Sequence, residues 1–231
     1  MAHAATVHPH PEHAPGQGQV GVYTQKLGMW IFLCSEVMFF TALIGSYIIL
    51  RWGSVDVWPK PQSVLNIPLT AINTFILICS SVSMVKAFAS ITHGDQAGLK
   101  KWLVVTCFGG AFFVSVQAYE YWHLSHEGFV PGGFVEGSEL FRRALEGHIA
   151  GATGGAIVPA AANLFGSTFY TMTGFHGFHV TCGVVCMIWV TIKAFRGGYT
   201  QTGYHGVEVV GLYWHFVDLV WIILFTIVYL F

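Results

Sequence analysis

Between Lys26 and Arg51 the chain runs LGMWIFLCSEVMFFTALIGSYIIL, an apolar stretch interrupted by one charged residue, Glu36. At about 1.5 Å of rise per residue this stretch is long enough to cross a hydrocarbon layer about 30 Å thick. In lipid it can only be a helix or part of a closed barrel, because every backbone polar group must be satisfied without water. Glu36 falls roughly 15 Å from the Lys26 end and about 22 Å from the Arg51 end, near mid-membrane. A charge at that depth costs roughly 2.5 to 3.5 kcal/mol, so the carboxyl must be protonated, paired or wetted inside the protein.

The rest of the chain obeys the same constraint. Of 231 residues, 54% are hydrophobic and only 9% are charged, where a soluble domain carries nearer a quarter. Formal net charge is −1 and there is no Lys/Arg run, which argues against nucleic acid as a partner. Five cysteines, Cys34, Cys79, Cys107, Cys182 and Cys186, all fall in apolar segments, which argues against a disulfide scaffold and for small buried hydrophobes. The first 26 residues form a His/Pro-rich stretch without a signal-peptide pattern, read as a flexible tail. Its His3, His8, His10 and His13 lack a rigid frame for a metal.

Five spans follow, roughly 27–50, 67–91, 102–124, 165–195 and 207–231, none with the alternation of a barrel strand. The expected fold is all-α, an integral membrane bundle of five helices over 27–231. Lys26, Lys86, Lys100, Lys101, Lys193 and Arg196 lie on one side, against Arg51, Lys60, Arg142 and Arg143 on the other. This bias favours the N-terminus inside and the C-terminus outside. The connection at about 125–164 is much longer than the others and reads as an outer-side insertion. Within it, Ser138 followed by Leu140, Phe141, Ala144 and Leu145 predicts a capped, short amphipathic helix at the interface.

Polar residues inside the spans carry what chemistry there is. Gln117, Glu120 and His123 form a stripe toward the outer end of the third span, fit for an interfacial hydrogen-bond network. His176 and His179, one turn apart on the fourth span, point to neighbouring faces. One helix cannot place them on opposite sides of a haem, so packing and hydrogen bonding are the expectation. His215 and Asp218 are one turn apart on the last span, with His215 the nearest partner in sequence for the buried carboxyl. No nucleotide-binding fingerprint, nucleophile triad or CxxC pair occurs, so a catalytic centre on this chain is not expected. Two rivals from other classes are a stand-alone transporter using Glu36, Glu120 and Asp218, and a b-type cytochrome ligated through His176, His179 or His215.

Four segments, SEVMFF (35–40), QAYEY (117–121), STFYTMTGFHGFHV (167–180) and YWHFVDLVW (213–221), together resemble subunit III of haem–copper cytochrome oxidases. The chain is similar to the shorter, five-helix bacterial form, and its 128–163 loop departs from the family pattern. The resemblance implies a non-catalytic subunit of a respiratory terminal oxidase in the bacterial cytoplasmic membrane. Such a subunit serves aerobic electron transport coupled to proton translocation. It would bind no haem or copper itself, those cofactors residing on partner subunits. It would pack chiefly against subunit I, with subunit II and a larger respiratory supercomplex as further partners, hold phospholipids and support proton uptake. The family's carbodiimide-reactive glutamate falls at Glu36. Residues near lipid phosphates fall at Lys193 and Arg196, with Trp214 grouped beside them and also given a packing role with His215 and Asp218. The motif wording inclines toward cytochrome c as donor, with a quinol oxidase as the alternative.

Overall fold

The computed structural model describes residues 23–54, 58–131, 133–135, 137–146, 157–200 and 203–230, so most of the expected tail and residues 147–156 lie outside the described residues. Among the described residues five helices are long and apolar enough to cross a bilayer: α1 (Thr24–Trp52), α3 (Ile67–Thr92), α4 (Gln96–His126), α6 (Ile157–Phe195) and α7 (His205–Phe225). The last continues into a π-helical turn, Thr226–Leu230. Between them lie α2 (Pro61–Val64), a two-stranded hairpin of β1 (Phe129–Val130) and β2 (Gly133–Phe134), and α5 (Glu139–Glu146). The chain is thus an all-α, multi-pass membrane protein.

Helix ends follow local chemistry. Asn66 accepts the Leu69 amide at 3.3 Å and starts α3. Asp95 accepts the Gly98 amide at 2.9 Å and starts α4 nearly two turns before the apolar run at Trp102. Hydropathy alone could not place that start, because the cap lies in water. After α6 the chain turns through Gly197, whose φ of +73° suits glycine, and the Gly198 amide closes back on the Lys193 carbonyl at 3.0 Å.

Helices α3, α4, α6 and α7 pack in a closed ring of neighbours, while α1 lies outside it against α7 and α6. The inner face of α3 is polar and small, with Thr70, Asn73, Thr74, Ser80, Ser81 and Ser83 all buried. That pattern fits a membrane interior, where close backbone approach and interhelical hydrogen bonds replace the hydrophobic drive. Gly109 of α4 faces Ser80 so closely that a methyl group there would lie 2.8 Å from the serine Cβ. Phe75, Phe108 and Phe178 point outward, as expected where lipid is the solvent.

One end of the bundle gathers Lys26, Lys86, Lys100, Lys101, Lys193 and Arg196. Several of these amines cap aromatic rings: Lys86 lies 4.5 Å and Lys101 5.5 Å from the Trp102 ring. The opposite end carries the hairpin and α5. There Tyr170 donates to the Phe129 carbonyl at 2.7 Å, and Asn163 accepts the Phe134 amide at 3.1 Å. Phe129, Phe134, Phe165 and Phe169 pack beneath. Ser138 accepts the Phe141 amide at 3.2 Å, so α5 is capped where the sequence places its cap, and Leu140 is buried.

Candidate functional site

Glu36 of α1 and His179 of α6 meet on the flank of the bundle. Glu36 Oε2 lies 3.0 Å from His179 Nε2, and the two side chains are 16% and 13% exposed. His179 Nδ1 lies 2.7 Å from the Phe175 carbonyl, which can only accept, so Nδ1 carries a proton. Nε2 is then bare in the neutral ring or protonated in the cation. A hydrogen bond at this contact takes its proton from the carboxyl in the first case and from the ring in the second, and Glu36 meets the mid-membrane constraint by pairing. Phe39 and Phe40 flank the imidazole at 6.4 and 5.2 Å, and Tyr213 donates to the His179 carbonyl at 2.9 Å, tying α7 to the same point. The sequence carries a signal for this pair. Counted from the flanking lysines, Glu36 lies about 15 Å and His179 about 21 Å deep.

His176, one turn before His179, has a different setting. It is buried, its Nε2 faces the Val217 carbonyl at 3.2 Å, and its ring stacks on Trp221 at 4.7 Å. The expectation that the two histidines serve neighbouring faces matches this geometry.

On α7 the expected His215–Asp218 relation is replaced. His215 Nδ1 lies 2.6 Å from Ser81 Oγ of α3, and that hydroxyl is also beside Asp218, whose Oδ1 is buried without a hydrogen bond. The neighbouring helix offers a hydroxyl at closer range than the next turn of the same helix. Trp214 is 1% exposed: its ring lies against Gly110 and Gly183, and Nε1 donates to Ser80 at 3.1 Å. It therefore presents no surface to lipid, and its grouping with lipid contacts gives way to the packing role. Trp221 repeats the device one heptad later, donating to Thr74 at 2.9 Å.

At the hairpin end the Gln117–Glu120–His123 stripe divides. Gln117 and Glu120 are buried, and Glu120 Oε1 accepts from Thr70 at 3.1 Å. His123 is half exposed and lies 3.8 Å from Glu127. The helix rotates it to the rim, where it shares with Glu120 only a cleft of about 410 Å³ between α4 and the start of α3.

At the lysine-rich end Lys193 and Arg196 are exposed, and the Lys193 amine lies 5.0 Å from the Tyr199 ring. Sequence reasoning missed a cluster nearby, where Glu208 of α7 receives Lys26 at 2.5 Å and the Tyr23 hydroxyl at 2.8 Å. Burial, with the Glu208 carboxylate adding to it, raises the Tyr23 pKa above the ordinary tyrosine range. The cysteines also differ from expectation: Cys34, Cys79 and Cys186 are on the outer surface of the bundle, where their small apolar character suits lipid.

Among the described residues no three His, Cys, Asp or Glu side chains converge as a metal site would require. His176, His179 and His215 each make a contact with another helix, to Val217, Glu36 and Ser81 respectively.

Comparison with known proteins bears on this arrangement. The family model described as cytochrome c oxidase subunit III matches residues 13–141 and 155–231, which take in all five spanning helices. A cytochrome c oxidase subunit 3 from Synechocystis sp. is 38% identical over 89% of this chain and 75% of its own length. A probable cytochrome c oxidase subunit 3 from Nocardia farcinica is 33% identical over 88% of this chain and 86% of its own. A cytochrome bo(3) ubiquinol oxidase subunit 3 from Pseudomonas putida is 31% identical over 88% and 84%. With a match of this extent running through every spanning helix, the chain belongs to the cytochrome c oxidase subunit III family.

Proposed function

We propose that this chain is the non-catalytic subunit III of a bacterial respiratory terminal oxidase. It stabilises subunit I in the cytoplasmic membrane and supports proton uptake for oxygen chemistry carried out on haem and copper held by partner subunits. The observation that carries this reading is the employment of the motif histidines. His176, His179 and His215 each serve an interhelical contact, as expected of a scaffold. In this reading Lys193 and Arg196 face phospholipid headgroups, and the lysine-rich end lies inside, giving N-in, C-out. The hairpin and α5, the described parts of the outer-side insertion, lie at the opposite end.

Identifying the chains that co-purify in mild detergent tests the proposal. A haem–copper subunit in the complex is the expected result, and a complex without one overturns it. We favour cytochrome c as donor, in keeping with the relatives named as cytochrome c oxidase subunits. The Pseudomonas putida relative is named for a ubiquinol oxidase, and turnover of the purified complex with each donor separates the two.

A further inference from the structure

Asn73 Oδ1, Gln117 Oε1 and Nε2, His176 Nδ1 and the Tyr229 hydroxyl are among the buried polar atoms without a hydrogen-bond partner. Each belongs to a residue no more than 5% exposed. Buried polar atoms are nearly always paired with protein or with ordered water.

Contacts place them in one zone. Asn73 of α3 donates through Nδ2 to the Phe113 carbonyl of α4 at 3.3 Å, and the Phe113 ring meets His176 of α6 edge-on at 6.0 Å. One turn beyond Gln117, Tyr121 bonds Thr173 at 2.6 Å, and Thr173 is one turn before His176. Gln117 is therefore bracketed by two contacts between α4 and α6. The Tyr121 hydroxyl beside it already serves Thr173. Tyr229 closes the zone from the π-helical turn, beside Thr70 and 6.3 Å from the Trp221 ring that covers His176.

His176 Nε2 faces a carbonyl and so must donate, which leaves Nδ1 of the neutral ring as an acceptor. Asn73 Oδ1 and Gln117 Oε1 are acceptors too. The Gln117 amide and the Tyr229 hydroxyl can donate, yet neither meets any of these three acceptors directly. Water can, since each molecule donates twice and bridges groups too far apart to touch. Glu120, which accepts from Thr70, also lines the cleft of about 410 Å³ at this end.

We propose that Asn73, Gln117, His176 and Tyr229 form a binding site for a small cluster of ordered water inside the α3–α4–α6–α7 ring, behind Glu120. The test is a map of the native complex at a resolution that shows ordered water. Water peaks in hydrogen-bond range of at least two of the four groups are expected, and fewer than two overturn the proposal. Gln117→Leu supplies a second reading. If the site is wet, the substitution strands its neighbours and lowers the unfolding temperature by about 2–4 °C. If the zone is dry, removing an unpaired amide leaves that temperature unchanged or raises it, and the proposal fails. Should the variant not assemble, the map of the unaltered complex decides alone.

Discussion

Glu36 and His179 join α1 to α6 through a carboxyl oxygen 3.0 Å from a ring nitrogen. Because α1 lies outside the ring of the other four spanning helices, this contact is a polar tie that holds it there. A carboxyl so placed is reachable from lipid yet spared a bare charge.

Replacing Glu36 by Gln keeps the size of the side chain and lets an amide donate to the bare His179 nitrogen. The complex is expected to assemble normally while carbodiimide labelling of this chain is lost. Mass spectrometry of the labelled complex checks this, and undiminished labelling would assign the reactive carboxyl elsewhere. Glu36→Leu leaves the imidazole nitrogen unpaired, at a cost of about 1–3 kcal/mol that an unfolding titration in detergent would register.

Gly110 and Gly183 form the slot that receives Trp214. A methyl group at Gly110 would run into the indole, so Gly110→Ala is expected to destabilise the bundle by about 1–3 kcal/mol. Gly45 has open space where its Cβ would be, so Gly45→Ala is the matched control and is expected to be neutral or slightly stabilising. Unfolding temperatures of the two variants in one detergent decide; equal losses would mean the slot is slack.

The pH response at the lysine-rich end follows from Tyr23. Its pKa is raised on folding by burial and by Glu208, so the folded state holds the phenolic proton more tightly than the unfolded chain. The contribution to stability is therefore complete below the ordinary tyrosine value of about 10 and is lost as pH climbs above it. An ultraviolet difference titration against Tyr23→Phe is expected to show one phenol ionising later than the exposed tyrosines. A Tyr23 that titrates with them would refute the anchoring of α1 to α7 at Glu208.

Asn163 and Tyr170 pin the hairpin to α6 through one hydrogen bond each. Removing either, as Asn163→Ala or Tyr170→Phe, is expected to cost about 0.5–1.5 kcal/mol of local stability. Limited proteolysis between residues 127 and 146 should accelerate in both variants, with turnover of the complex unchanged. An unaltered cleavage rate would show that the aromatic packing beneath holds the hairpin alone.

The sequence by itself determined the five spans, the mid-span position of Glu36 and Asp218, the cap at Ser138 and, through four ordered motifs, the family. These are local properties. In lipid each helix satisfies its own backbone, so a run of apolar residues settles where a span lies without reference to its neighbours. What only the tertiary structure decided is which polar side chain meets which. His176 and His179 are one turn apart, yet one reaches Val217 on α7 and the other Glu36 on α1. His215 takes Ser81 and leaves Asp218, one turn away on its own helix. Trp214 belongs to the interior because two glycines on different helices make room for it. Partners of this kind depend on the rotation and register of each helix against the others. Those are set by packing summed over the whole bundle, and residue spacing along one helix does not contain them.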